Sequence, residues 1–405
     1  MKHRQVATAK AKGRKLRQAP RLSSDDPVIL ELWARAGGRC ELYGCNDFLL
    51  QDELTTNRAK LADIAHIVAR SKDGPRGDDP MLLSQRNKIE NLFLACTKHH
   101  RLIDNKAMVA RYPKEILIQY KQTHEERIRF VTGLGDENET VIVRMIGNIR
   151  GSTVSISNEE IRQGVLKSSN RYPRYLGGEN HIEIDLRTIT ENDLHQYWNR
   201  GIETIKDVID RRITPAIQKG EIQHLSLFAF ARIPFLIYLG YAIGDKLTFE
   251  TFQKHRTGGE SWVWPANQTA QRFVFRREVN GSDKSRIAVM ISLSGNVQIA
   301  QISSSISAAY TVYSLAPDGS KPSRSILSCK DSVDQFRLTY ANLLREIEAA
   351  YPLAKEIHLF PAVPISAAII LGRDLLRNVS PSLIIYDKGR HGFEKAIRIN
   401  ANKED

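Results

Sequence analysis

Cysteine is scarce in this chain: Cys40, Cys45, Cys96 and Cys329 are the only four in 405 residues. A disulfide-stapled scaffold is excluded, because domains of that kind are cysteine-dense. Long apolar runs are also missing, and no window approaches the roughly eighteen consecutive apolar residues that a membrane-spanning helix needs. The segment after Met1 lacks the apolar core and cleavage pattern of a secretory signal, so a cytoplasmic location is expected. Acidic residues are absent from KHRQVATAKAKGRKLRQAPRLSS, residues 2–24, which holds eight Lys/Arg. Residues 1–24 therefore read as a basic N-terminal arm, either a solubilising tail or a strand of charge for a phosphate backbone.

What is present fits a soluble globular protein of two or three domains, with 41 % apolar and 26 % charged residues over 405 positions. The net charge of +13 is uneven: residues 1–130 hold 25 Lys+Arg against 16 Asp+Glu, leaving 34 against 30 for the rest. Contact with a polyanion is expected mainly in the first third.

DDPVILELWARAGG reads as a short helix with acids and Pro27 at its start and Gly37 and Gly38 at its end. Trp33, among Ile29, Leu30 and Leu32, reads as a core anchor. Between 40 and 70 the pattern is strand-like and ends in LADIAHIVAR; a polar turn, SKDGPRGDDP, leads to NKIENLFLACTKHHRLID and then to a helix near 113–130. TGLGDENE, with glycines and acids and no apolar period, marks a linker over 132–140. Beyond it, apolar strands alternate with longer helical patterns at 191–213, 234–244, 331–350 and 365–377, which predicts a layered α/β architecture. HLSLFAFARIPFLIYLG at 224–240 and HLFPAVPISAAIILG at 358–372 share a strand, a proline, and an apolar helix containing Leu-Gly, so two related halves are expected.

Three of the four cysteines fall beside a histidine pair. Cys40 and Cys45 form one close pair and Cys96 and His99 another, two half-sites suited to a structural, tetrahedral Cys3His zinc. Such a site stabilises a domain with little core of its own. On a helix, His100 and Asp104 share a face while His99 points about 100 degrees away from His100, so the second pair is free to hold a different divalent ion: Mg, Mn, Ni or Zn. His66, in the apolar IAHIV, is either a satisfied core histidine or a general base. Strand alternation puts Asp63 and Ala65 on one face and His66 on the other, with Asp63 able to reach a metal. Lys98 and Arg101 are candidates for nonspecific DNA contact.

DIAHIVARSKDGPRGDDPMLLSQRNKIENLFLACTKHHRLID resembles the HNH endonucleases, a ββα-metal fold, in the branch with a cysteine-rich zinc knuckle; the resemblance covers about 25–131. It implies His66 as general base, Asn91 as the residue orienting the connecting loop and His66, and His100 with Asp104 as holders of the catalytic cation. This sequence has Ala65 where the family often has Asp or His, and Asp63 is the expected substitute. A noncatalytic, zinc-containing DNA-binding protein with an α/β partner domain is the alternative reading.

In the remaining two thirds, FAFARIP and FPAVP stand at strand exits, where open α/β folds bind ligands. FQKHRTGGESWVWP adds Lys254, His255 and Arg256 beside Trp262 and Trp264, which either stack on bases or pack a strand face. These stretches, with ISLSG and HLFPAVPISAAIILGRDLLRNVSPSLIIYD, resemble the SAVED sensors of CBASS anti-phage signalling over about 141–400. The resemblance implies two fused Rossmann-like (CARF-like) halves and a cyclic di- or trinucleotide ligand. Phe230, Arg232, Pro234, Lys254, Arg256, Trp262, Trp264, Ser294, Gly295, Pro361, Pro364 and Arg373 are the candidate contacts. An HNH domain followed by SAVED implies a cyclic-nucleotide-activated, metal-dependent nuclease that oligomerises on activation and degrades double-stranded DNA.

Overall fold

A computed structural model describes residues 18–52, 54–149, 151–190, 193–255, 261–377, 379–389 and 392–400. Most of the basic arm and Arg256 lie outside the described residues. The chain divides into two compact units between Leu134 and Gly135.

The first unit begins with α1 (Pro27–Arg35), whose Ile29 and Leu32 are buried and which Gly37 and Gly38 end with positive φ values of 62° and 67°. Strands β1 (Ala62–His66) and β2 (Leu92–Cys96) form an antiparallel pair in which Ala62 faces Cys96 and His66 faces Leu92. The pair runs straight into α2 (Thr97–Ile103), and α3 (Lys114–Thr132) follows. All five β2 residues are buried, in a small core with Leu32, Leu49, Ala65, Ile103 and Leu117.

The connection between β1 and β2 is held by two buried arginines. The Arg86 guanidinium donates to the carbonyls of Ala69, Ser71, Gly77, Asp79 and Met81. Arg76, at φ 55°, donates to the carbonyls of Ile67, Ile103 and Tyr112. Satisfying so many carbonyls is how a long polar connection packs against a core without leaving buried acceptors unpaired.

The second unit opens with β3 (Glu139–Ile146), followed by the short pair β4 (Asn148–Ile149) and β5 (Ser152–Thr153) and by α4 (Asn158–Ser168). Next come β6 (Tyr172–Arg174), β7 (Ile182–Asp185), α5 (Leu194–Val208) and α6 (Thr214–Gln218). A π turn at Ile209–Ile213 joins the last two helices. Pro215 offers no backbone N–H to the helical ladder there, a common reason for such a bulge. β8 (His224–Phe230), α7 (Ile233–Ile243) and β9 (Thr248–Phe252) complete a parallel sheet in which β6 and β7 flank one edge of β3, and β8 and then β9 the other.

The second sheet contains β10 (Phe273–Val279), β11 (Asp283–Ser292), β12 (Tyr310–Pro317), β13 (Glu356–Ala362), β14 (Ser382–Lys388) and β15 (Phe393–Ile399). Its order is β10-β12-β11-β13-β14-β15, four parallel strands with an antiparallel strand at each edge. The connections carry α8 (Ile299–Ile302), α9 (Lys330–Ala350) and α10 (Ile365–Arg373). In α9 the buried Val333, Phe336, Tyr340, Leu343 and Ile347 recur every three or four positions, the stripe of a helix lying on a sheet.

The two halves repeat one arrangement: β8-α7-β9 beside β3 corresponds to β13-α10-β14 beside β11. The helices α7 and α10 meet at matching glycines. A Cβ on Gly240 would stand 1.9 Å from the carbonyl oxygen of Ile369, and one on Gly372 would stand 1.8 Å from that of Ile237. Only hydrogen fits at either position. Among the described residues no helix is long and apolar enough to cross a membrane.

Candidate functional site

The adjacent histidines of α2 serve different neighbourhoods. His99 Nδ1 lies 3.2 Å from Cys96 Sγ and 3.7 Å from Cys40 Sγ. With Cys45 they form a set whose ligand atoms all lie within 4.8 Å of one another. The turn carrying Cys40 and Cys45 is docked through Glu41, whose backbone N–H donates to Leu94 O and whose carboxylate accepts from Leu94 N–H at 2.6 Å. Glu41 is buried with Lys121 at 3.5 Å, and burial pushes its carboxyl up to about 8. Burial likewise pushes the Cys40 and Cys45 thiols up. A cation among them offsets that cost by favouring thiolates. Ligands on a tetrahedral zinc at 2.0–2.3 Å stand roughly 3.5–4 Å apart, so three sulfurs and one imidazole nitrogen at these spacings fit it.

His100 faces the carboxylates instead. Its Nε2 is 3.3 Å from Asp104 Oδ2 and its Nδ1 is 3.8 Å from Asp63 Oδ2. The two acids thus lie on opposite ring nitrogens, which is why Asp63, His100 and Asp104 do not converge as tightly as the sulfur set. An ion shared by His100 Nε2 and Asp104 would leave Nδ1–H for Asp63, the usual arrangement in which a carboxylate orients a metal-bound histidine. Arg76 Nη2 stands 3.8 Å from Asp104 on its far side.

His66 ends β1. Burial holds its imidazole below the ordinary histidine range, against a hydrogen bond to Asn87 that acts the other way. The neutral form, the one able to accept a proton, is therefore the resident form at neutral pH. Asn91 is 1 % exposed and fully engaged: Oδ1 accepts from Val68 N–H at 2.8 Å, and Nδ2 donates to the carbonyls of Val68 and Arg86 at 2.9 and 2.8 Å. It pins the chain two residues beyond His66 to the loop before β2. Lys98 and Arg101 are exposed on α2.

The sequence pattern did not point to Asn87, Arg76 or Arg86. Each acts mainly on a backbone carbonyl or a neighbouring side chain across the loop, and no spacing rule marks that.

In the second unit, Phe230, Arg232, Pro234, Ser294, Gly295, Pro361 and Pro364 each lie at the carboxyl end of β8, β11 or β13 or at the start of α7 or α10. Lys254 follows the end of β9. Trp262 and Trp264 are different: at 1 % and 7 % exposed they present no ring face to a ligand, Trp262 packing on Phe228 and Trp264 on His255. Their large apolar rings are buried in the core, which corrects the base-stacking expectation for this structure. Arg373 is also displaced from the strand exits. It ends α10, roughly 12 Å along the axis from Ile365 at about 1.5 Å per residue. There it lies over the Phe249 ring at 4.1 Å and lines a cavity with Arg337, Asp374 and Leu375.

Residues 205–399 match the family model of SAVED, the SMODS-associated and fused to various effectors sensor domain. The second unit carries a SAVED domain. The SAVED match begins inside α5, so β3 and β7 precede it while sharing the sheet of β8. Among solved structures, the chain is similar to the Acinetobacter baumannii Cap4 SAVED/CARF-domain containing receptor with the cyclic trinucleotide 3'3'3'-cAAA, at 13 % identity and a TM-score of 0.46. It is similar to the same receptor with 2'3'3'-cAAA at 14 % identity and a TM-score of 0.45; both matches cover 73 % of this chain and 62 % of the receptor. The Moraxella osloensis Cap4 SAVED/CARF-domain containing receptor matches at 13 % identity and a TM-score of 0.41, over 73 % of this chain and 60 % of that one. The match thus spans less than two thirds of the length of these receptors. No curated protein matches the sequence.

Proposed function

We propose that the chain is a DNA endonuclease switched on by a cyclic oligonucleotide, a basic DNA-following arm leading into an HNH-type ββα-metal nuclease domain in the first unit, with the SAVED sensor in the second. The observation that carries the reading is the division of labour on α2, with His99 turned to a sulfur cluster, His100 turned to Asp104 and Asp63, and a neutral His66 at the end of the neighbouring strand.

His66 takes a proton from water as the water oxygen bonds to phosphorus and the bond from phosphorus to the 3' oxygen breaks; the 3' oxygen takes a proton from solvent, leaving a 5' phosphate and a 3' hydroxyl. Asn91 keeps the segment after His66 in register with the loop that precedes β2. Lys98 and Arg101 meet backbone phosphates without reading sequence. His100 and Asp104 would hold a divalent cation, magnesium or a relative, which supplies charge neutralisation at the phosphate. The Cys3His zinc is structural. In the sensor, the strand exits around Phe230, Arg232, Pro234, Ser294, Gly295, Pro361 and Pro364 receive a cyclic di- or trinucleotide, and its binding drives self-assembly that brings nuclease domains onto double-stranded DNA in anti-phage defence.

DNA cleavage by the purified full chain, measured with magnesium across a panel of cyclic di- and trinucleotides, tests this. One ligand should raise cutting selectively, and His66→Ala should abolish the cutting while zinc content and DNA binding persist. DNA binding without cutting under every ligand would reduce the chain to a zinc-containing binding protein.

A further inference from the structure

The amide of Asn87 lies between two groups that fix its orientation. Its Nδ2 donates to the carbonyl oxygen of Pro20 at 2.9 Å, and its Oδ1 lies 3.0 Å from His66 Nε2. A carbonyl only accepts, so the NH2 end must face Pro20 and the oxygen must face the imidazole. The amide oxygen also only accepts, so the ring nitrogen opposite it must carry the hydrogen.

Pro20 does not drift with the amide. Ala19 is buried, its N–H donates to Arg70 O at 3.1 Å and its carbonyl accepts from Arg70 Nε at 3.3 Å, while Gln18 bridges Ser71. The segment that precedes the nuclease fold is thus stitched to the chain just beyond His66, and it clamps Asn87 from behind.

We propose that Asn87 is a positioning residue for His66: it holds the neutral imidazole with its proton on Nε2 and leaves the Nδ1 lone pair to receive the proton from water. The proposal rests on the reading of His66 as general base. Asn87 keeps the same hydrogen bond after proton transfer, because Nε2–H is present in imidazole and imidazolium alike, so the acceptor has no need to reorganise during turnover. Neutral imidazole has two tautomers, and only one has its lone pair on a given nitrogen; a base without such a partner spends part of its time in the wrong one.

The experiment uses the full chain with 15N-labelled histidine and long-range proton–nitrogen correlation spectra at a pH where His66 is neutral, with the spectrum of His66→Gln identifying its signals. The wild type should show the Nε2–H tautomer, Asn87→Asp should keep it, and Asn87→Leu should show exchange between the two. In parallel, Asn87→Leu should lower kcat for DNA cleavage on the order of 10²-fold with KM little changed, and Asn87→Asp should recover most of the loss. A wild-type ring protonated on Nδ1, or an Asn87→Leu protein with the wild-type pattern and rate, overturns the proposal. The spectra are read without DNA, so failure of the nuclease reading shows separately, as a chain that never cuts despite the tautomer expected here.

Discussion

Arg232, just before α7, and Asp387, in β14, stand 155 positions apart, and the Arg232 Nε–H donates to Asp387 Oδ2 at 2.9 Å, with a second contact from Nη2. The guanidinium also lies over the Trp198 ring at 4.7 Å. Arg232 stands at the exit of β8 and Asp387 near the end of β14, so the pair ties together the carboxyl edges of the two sheets. Both side chains are largely buried. Asp387→Ala removes the charged acceptor of these hydrogen bonds and should cost roughly 1.5–3 kcal/mol, the range for a hydrogen bond to a charged group. Urea unfolding followed by tryptophan emission reads it, since Trp198, Trp262 and Trp264 all lie in that unit. An unchanged midpoint would show that the pair adds nothing to stability.

The purified chain should contain about one zinc, bound through Cys40, Cys45, Cys96 and His99. Chelation, or Cys96→Ser, should remove it and unfold the first unit, because the cluster joins the Cys40 turn to the start of α2 across a small core. Elemental analysis measures the metal, and Trp33, alone in that unit, reports the unfolding. Acid should release the metal as thiols regain protons.

The pH profile of cleavage should follow His66. The base works only when unprotonated, so rate falls as pH drops through its pKa. Burial depresses that pKa, and a nearby divalent cation pushes the same way. Single-turnover rates should therefore hold down to a pH below the ordinary histidine value of about 6.5 before declining. A decline centred above that value would point to another group as the base.

Gly372→Ala inverts a familiar sign. On an exposed helix the change stabilises by roughly 0.5–1 kcal/mol, because glycine loses more freedom on folding. Here the new Cβ meets a backbone carbonyl, not a side-chain tip that can swing away, so α7 and α10 must separate. A loss of at least 1–3 kcal/mol is expected, the cost of overpacking. Gly240→Ala should do the same, and thermal unfolding of the two variants checks both.

Much of this organisation is legible in the sequence, because burial periodicity is. Val333 to Ile347 spells out α9, and the apolar runs of β3, β8, β11 and β13 mark parallel strands covered on both faces. β15 escapes notice because Glu394, Lys395 and Arg398 interrupt its apolar positions, as suits an edge strand with one exposed face. Around the candidate site, the spacing of Cys40, Cys45, Cys96 and His99 foretells their meeting, since metal half-sites are local. Asn87 and Arg86 do not announce themselves, because their partners are carbonyls and a ring brought close only by the fold. Arg373 misleads for a geometric reason: it adjoins a strand-exit motif in sequence, but a nine-residue helix carries it to the other end.

The glycine crossing of α7 and α10 has a meaning in symmetry. Gly240 meets the carbonyl of Ile369 while Gly372 meets that of Ile237, and each residue precedes its own glycine by three. Element i touches element j as j touches i, the signature of an isologous contact about a two-fold axis. The contact thus has the pairing geometry that two like subunits would use, made here within one polypeptide.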